Sequence, residues 1–422
     1  MDDISRAQAS AAPPLGKPLA GKTVAVVHAA WHSCGSYQVN VSQVAAYRAL
    51  GARVVSVAMM DALGPAATEG PRWDAYLNAS RNIGANRCYY SGASTSAFLS
   101  PVFLAKGYWR LIHGDQASWL IEIAKRSPLP EDFDRESVDL IHANHFFTMP
   151  FVEKLKKGRR VPVILETQDI QARQFTLRNQ GGFFIPPHAD YSDMLMVELD
   201  WMRRADLCTH LNEEEHRDFR NLLPEARHAL IYPAVPEVPR SVGTQIVIVA
   251  SDNYANYKSL RWFLNEVVPK AGGAKVSIYG NIDEGLKKRD AALYEAHAHL
   301  FMGRVDNIAL VYKRAGCILL PTVEGHGLSI KAVEALACGA PIIATPLAFR
   351  GMQIDPSTLT NVNVAHDATE FAQFWRRAQA RADRGDTAGA MSDTRMLYDR
   401  AFSLDAYARA LAGALETLRA RA

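Results

Sequence analysis

Residues 317–345 constrain the fold of this chain more than any other stretch. Cys317–Pro321 is short and apolar, as a buried parallel strand is. The loop Thr322–Leu328 carries Gly325 and Gly327, which let backbone approach a ligand closely. Ser329 suits an N-cap. The spacing predicts a helix over Ile330–Cys338, with Gly339 at the C′ position, and then a strand over 342–345. A glycine loop at a strand's carboxyl end, opening a helix, is an anion-binding arrangement. Lys331 falls in the first helical turn and Glu334 three residues later on the same face. One face thus offers a cation for a diphosphate and a carboxylate for sugar hydroxyls. A plain βαβ unit with a solvated lysine and glutamate has the same spacing, so spacing alone leaves both readings open.

The rest of the chain reads as alternating strands and helices. Strands are predicted over 23–29, 53–58, 138–143, 161–166, 207–211 and 229–232, with helices over 39–50, 194–205 and 213–222. The aromatic region 73–119 is hard to parse and reads as an insertion or helices. Pro233–Val242 is proline-rich and reads as a linker. A second series follows, with strands at 246–250, 275–279, 300–302 and 317–320, and helices at 259–268, 286–298 and 307–314. After Thr394 the chain is helical and amphipathic. The domains expected are a disordered segment 1–22, a Rossmann-like domain 23–235, a linker 236–242, a second Rossmann-like domain 243–394 and a terminal helix 395–422.

A chain of 422 residues suits two such cores. Its net charge of +3 is too small to argue for a nucleic-acid partner. The five cysteines are scattered with no C-x-x-C spacing, so no disulfide framework or zinc knuckle is indicated and a reducing cytoplasm fits. No apolar run reaches membrane-spanning length, and the N-terminus has no signal-type apolar core.

The stretch 325–345 closely resembles the donor-site signature of the large retaining group 1 family of GT-B glycosyltransferases. Gly325, Gly327, Ile330, Lys331, Val333, Glu334, Ala335, Leu336, Ala337, Gly339, Pro341 and Thr345 all match one branch of that signature. The resemblance implies an α/β fold of two doubly wound Rossmann-like domains facing a central cleft, with the terminal helix crossing back to the first. It implies transfer of a sugar from a nucleoside-diphosphate-sugar to a glycan or lipid-linked glycan, with retention, without metal and with no cofactor beyond the co-substrate. Glu334 would bind donor ribose hydroxyls, and Lys331 and Lys258 would neutralise the diphosphate. Gly325, His326, Gly327, Leu328 and Ser329 would line the donor, and Gly280 and Arg304 would sit in loops that hold the base.

Three positions depart from the family pattern. His326 stands where a second glutamate is usual, while Glu324 lies two residues earlier. Asn253 takes the place of an arginine on the diphosphate. Gln168 takes the place of a histidine beside the transferring sugar, between Glu166 and Asp169. Glutamine is neither acid nor base at neutral pH. A front-face retaining transfer can pass the acceptor proton to the leaving phosphate, so Gln168 and Asp169 stay as candidates on the catalytic face, Asp169 with an N-capping role as its alternative. These departures motivate a second reading, a degenerate GT-B subunit that binds or assembles without catalysis. A third is an epimerase-like GT-B enzyme that needs no acceptor.

Residues 146–160 interleave apolar side chains with five basic ones, a pattern that suits an anionic membrane surface, here the inner face of the cytoplasmic membrane, or an ordinary crossover helix. His142 and His145 have metal-ligand spacing but no third ligand nearby. Asp132 and Asp134 read as solvated.

Overall fold

The structure is a computed structural model and describes residues 15–31, 35–60, 71–93, 99–180, 184–386 and 392–419. Residues 1–14 of the expected N-terminal segment, the Gly/Pro/Ala stretch 63–70 and Cys34 lie outside the described residues.

Runs of Val, Ile and Ala make strands that are apolar on both sides, and parallel sheets covered by helices on both faces can bury them. Strands β1 (Thr23–Ala29), β2 (Arg53–Met59), β3 (Arg87–Ser91), β4 (Leu140–Asn144), β5 (Val163–Glu166), β6 (Leu207–His210) and β7 (His228–Leu230) form one sheet in the order β3-β2-β1-β4-β5-β6-β7. Strands β8 (Gln245–Val249), β9 (Ser277–Tyr279), β10 (Phe301–Gly303), β11 (Ala315–Leu320), β12 (Ile342–Ala344) and β13 (Val362–Val364) form another in the order β10-β9-β8-β11-β12-β13, all parallel. These are the two doubly wound sheets expected. In the second, side chains alternate between faces as a strand requires. Val247, Ile318, Leu320 and Ile342 pack with helix Ile330–Cys338, while Ile248, Cys317, Leu319 and Ile343 pack with Phe263 and Trp375. Strand order reverses once per sheet, between β1 and β4 and between β8 and β11. At such a switch point the following loops diverge and leave a crevice at the carboxyl edge.

Several elements differ from expectation. The aromatic region holds helix Pro71–Arg81, edge strand β3 and helical turns from Pro101 to Ile112. The helix expected at 259–268 begins earlier, at Tyr254, because Asn253 caps it: its side chain accepts from the Asn256 amide at 2.8 Å. The helix expected at 286–298 is two, Ile282–Arg289 and Ala291–His297, because Asp290 caps the second by accepting from Leu293 N at 3.2 Å. The C-terminal helix is also two, Asp393–Ala401 and Leu404–Arg419.

Contacts divide the chain into two units, Met1–Leu165 with Arg178–Asp206 and Ala408–Ala422, and Glu166–Leu177 with Leu207–Tyr407. β6 and β7, the last strands of the first sheet, therefore group with the second unit. The segment 146–156, a short turn followed by helix Met149–Lys156, buries its apolar side: Phe146, Phe147, Met149, Phe151 and Val152 are inaccessible. Its basic side chains alone remain to meet an anionic surface, and Lys154 already donates to the Lys125 carbonyl at 3.0 Å. His142 is a core residue, bonded through Nδ1 to the Tyr47 hydroxyl at 2.9 Å. Asp132 pairs with Arg135 at 3.2 Å, and Asp134 with Lys157.

Candidate active site

Because every pairing in the second sheet is parallel, the loops after β8, β9, β10, β11 and β12 share one edge. The β8 and β11 loops flank its switch point. The loop after β11 leads into helix Ile330–Cys338, whose N-cap Ser329 accepts from Ala332 N and whose C-cap Gly339 is left-handed at φ 73°. Start, cap and stop fall where the sequence places them. The loop is anchored to the β8 side through Val323 N, which donates to Ser259 Oγ at 3.1 Å. Lys258 Nζ lies 4.0 Å from Glu324 Oε2 and 5.3 Å from the Tyr254 ring centre, with both charged partners half exposed. A pair so exposed contributes at most about 1 kcal/mol, so Lys258 can exchange Glu324 for an anionic ligand.

Lys331 and Glu334 sit in the first turns of the helix, partly buried. Burial pulls the Lys331 ammonium down to about 8, against the Glu334 carboxylate, with the Arg350 charge adding to the fall. Burial pushes Glu334 upward, opposed by the Tyr312 hydroxyl, which donates to Oε2 at 2.7 Å, and by Lys331. One oxygen of the expected ribose ligand is thus oriented by Tyr312, itself inaccessible on helix Ile308–Arg314. Gly325 has φ 146°, and a Cβ there would stand 2.6 Å from Nη2 of Arg350. Backbone and neighbour both require glycine at this position. His326 is exposed, and Leu328 and Ser329 are partly buried.

Gly280 follows β9 at φ 113°, where a Cβ would lie 2.0 Å from the Ala250 carbonyl oxygen, and its amide donates to Gly303 O at 2.9 Å. Its need for glycine is satisfied by the packing of β8, β9 and β10. Arg304 follows β10 and is exposed.

Gln168 and Asp169 follow β5 in a three-residue turn closed by Asp169 N to Thr167 O at 2.9 Å, with Gln168 buried at φ 66°. A left-handed non-glycine residue carries strain that the surroundings must hold. Two buried carboxyls border the turn. Glu166 accepts from Thr209 Oγ1 at 2.9 Å and from Gln168 N at 3.3 Å. Glu215 accepts from Asn212 Nδ2 at 2.7 Å, and its amide donates back to Asn212 Oδ1 at 2.9 Å. Burial, first of all, pushes each up to about 8, and Asp169 adds like charge to both. Gly327 approaches the same cluster, since a Cβ on it would stand 3.9 Å from Asp169 Oδ1 and 4.0 Å from Asn212 Nδ2. The structure therefore brings together Asp169, Lys258, Gly325, Gly327, Lys331 and Glu334 through contacts within the second unit, while Gly280 and Arg304 share only the sheet edge.

Residues 243–378 match the family described as glycosyl transferases group 1. Through this stretch the chain is similar to the group 1 glycosyltransferases. The fold is similar to that of sucrose-phosphate synthase of Thermosynechococcus elongatus, at 17% identity and TM-score 0.59 over 95% of this chain and 100% of the other. It is similar to HepE of Anabaena in complex with UDP, at 13% identity and TM-score 0.59 over 94% and 100%. A glycosyltransferase of Rickettsia africae aligns at 13% identity and TM-score 0.58 over 94% and 98%. At such identities the likeness establishes the fold, which is GT-B. No curated protein matches the sequence.

Three residues beside the candidate site escape sequence reasoning. Glu215 has a local signal, the Asn212-x-x-Glu215 spacing of a capping box, but nothing local reveals that it adjoins Asp169. Tyr312 and Arg350 lie 22 positions before Glu334 and 25 after Gly325, and carry no motif.

Proposed function

We propose that this glycosyltransferase takes a sugar from a nucleoside-diphosphate-sugar bound on its second domain and passes it to a hydroxyl of a glycan or lipid-linked glycan. The observation that carries this reading is Lys331 and Glu334 on one helix face, above a glycine loop at the switch point of the second sheet. HepE, which shares the fold, has been solved with UDP and with UDP-glucose, which supports a donor of this class. The leaving diphosphate gathers negative charge as its bond to the anomeric carbon breaks. Lys331, Lys258 and the free amides at the helix start are the fixed positive groups that lower this barrier. They take the part a divalent cation plays elsewhere, so the transfer is read as metal-independent and free of other cofactors. Retention follows from the family resemblance and fits Gln168, which cannot serve as a base, with the leaving phosphate receiving the acceptor proton.

Among the described residues no helix is long and apolar enough to cross a membrane. We place the protein in the cytoplasm, where the basic side chains of 146–160 meet a lipid-linked acceptor at the membrane's inner face by charge alone.

A thermal-shift panel of nucleoside diphosphates and their sugar conjugates, on wild type and Glu334→Ala, tests the donor site. Stabilisation grows as RT ln(1 + [L]/Kd). One nucleotide raises the wild-type midpoint and fails to raise that of the variant. A flat panel on folded wild-type protein contradicts the reading and favours the non-catalytic subunit.

A further inference from the structure

Arg350 follows β12 and the turn Pro346–Phe349, on the same sheet edge as the glycine loop. Its Nη1 donates to the Leu347 carbonyl at 3.2 Å, which fixes the guanidinium, yet its buried Nε has no hydrogen-bond partner. A buried donor left without an acceptor calls for an explanation. The guanidinium lies flush against Gly325: an ideal Cβ there would be 2.6 Å from Nη2, 2.8 Å from Cζ and 3.1 Å from Nε. The absent side chain at 325 is what lets the guanidinium lie there. Burial lowers the Arg350 pKa, and Glu214 is the carboxylate that opposes the fall. Its charge also bears on Lys331, whose pKa it depresses. Among the described residues neither cation has an ion-pair partner within 4.0 Å. Two partly buried cations, one set against the glycine loop and its charge felt by the other, form an arrangement that an anion completes.

The sequence gives a reason for a cation at this place. Asn253, where the family pattern has an arginine, is occupied as the N-cap of helix Tyr254–Trp262. The β8 side therefore contributes Lys258 alone.

We propose that Arg350 binds the diphosphate of the donor, supplying from the β12 loop the guanidinium absent at Asn253. This rests on the donor reading above. A planar guanidinium offers paired N–H donors that match two phosphate oxygens, which a lysine cannot do. With Lys331 it grips the phosphate farther from the nucleoside. In transfer, the bond from the anomeric carbon to that phosphate's oxygen breaks and its electron pair stays on the oxygen. The acceptor oxygen forms the new bond, and its proton leaves on the released diphosphate. Arg350 holds the charge that results.

The test is calorimetric titration of wild type, Arg350→Gln and Arg350→Lys with UDP, GDP and ADP and with the matching monophosphates. In wild type one diphosphate binds more tightly than its monophosphate. Arg350→Gln weakens the diphosphate on the order of 10- to 100-fold and leaves the monophosphate nearly unchanged, so the ratio collapses, while Arg350→Lys restores part of it. An unchanged ratio overturns the proposal. Equal loss for both nucleotides, together with a lower unfolding midpoint, assigns Arg350 a structural role and also overturns it. If Arg350→Gln fails to fold, the lysine variant decides: a ratio equal to wild type counts against a paired contact. If wild-type protein binds no nucleotide, the donor reading itself fails, and the proposal with it.

Discussion

Lys331 loses its proton more readily than a surface lysine, because the fold takes it partly out of water and sets Arg350 near it. Its pKa of about 8 places the loss of charge inside an accessible range. Phosphate groups, with a second pKa near 6, are mostly ionised at pH 7 and change little up to pH 9, so the pH dependence of diphosphate binding over that interval reports chiefly on the protein. Affinity is expected to fall roughly tenfold from pH 7 to pH 9, one pKa unit being tenfold in the protonated fraction. Titration calorimetry at both pH values checks this, and Lys331→Arg, charged throughout, should flatten the profile. Equal affinity at both pH values in wild type would remove Lys331 from the diphosphate. At this scale the sequence is a good guide to local chemistry and a poor one to neighbours. Ser329, Lys331, Glu334 and Gly339 are readable because a helix fixes their relations within a few residues. Arg350 against Gly325, Tyr312 on Glu334 and Glu215 beside Asp169 depend on strand order, which no local spacing encodes.

Among the elements, the parallel strands are legible because each is a short apolar run between turn residues. The edges are less so. β3 hides in an aromatic stretch because an edge strand needs less continuous burial, and β13 has three residues. Caps explain the shifted helices: Asn253 starts one earlier and Asp290 splits another, each by a side-chain oxygen accepting an amide. The histidines of β1 and β4 show what parallel-strand burial does to a titratable group. Burial lowers His28 to about 4, and His142 and His145, just past β4, to about 3. An unfolded histidine takes its proton near 6.5. Between these values the unfolded chain binds more protons than the fold, so stability is complete above about 6.5 and declines as the pH falls toward 4. Each such group contributes on the order of 1.4 kcal/mol per pH unit in that window. Urea midpoints measured at pH 7, 6 and 5 should fall steeply, and His142→Asn, which keeps an acceptor or donor for Tyr47, should make the slope shallower. A variant whose slope equals that of wild type would show that His142 is not one of the groups responsible.

For the whole molecule, two consecutive strand–helix series separated by a proline-rich stretch are enough to read two doubly wound sheets from the sequence. The grouping by contacts is not readable there. It assigns Glu166–Leu177, β6 and β7 to the second unit and Ala408–Ala422 to the first, because contacts follow packing rather than chain order. That grouping puts Asp169 and Glu215 in one unit with Gly327 and Lys331, and so sets a carboxyl cluster beside the glycine loop. The central claim is that this assembly breaks the bond between a sugar and a nucleoside diphosphate. The most direct measurement is chromatographic detection of free nucleoside diphosphate from a panel of nucleotide-sugars, with wild type and Lys331→Ala, in the presence of membrane and glycan extracts as acceptors. The account predicts that one nucleotide-sugar releases its diphosphate as its sugar is transferred, and that Lys331→Ala slows release by at least about tenfold. Tight binding with no release, or an altered nucleotide-sugar with the diphosphate still attached, would contradict it.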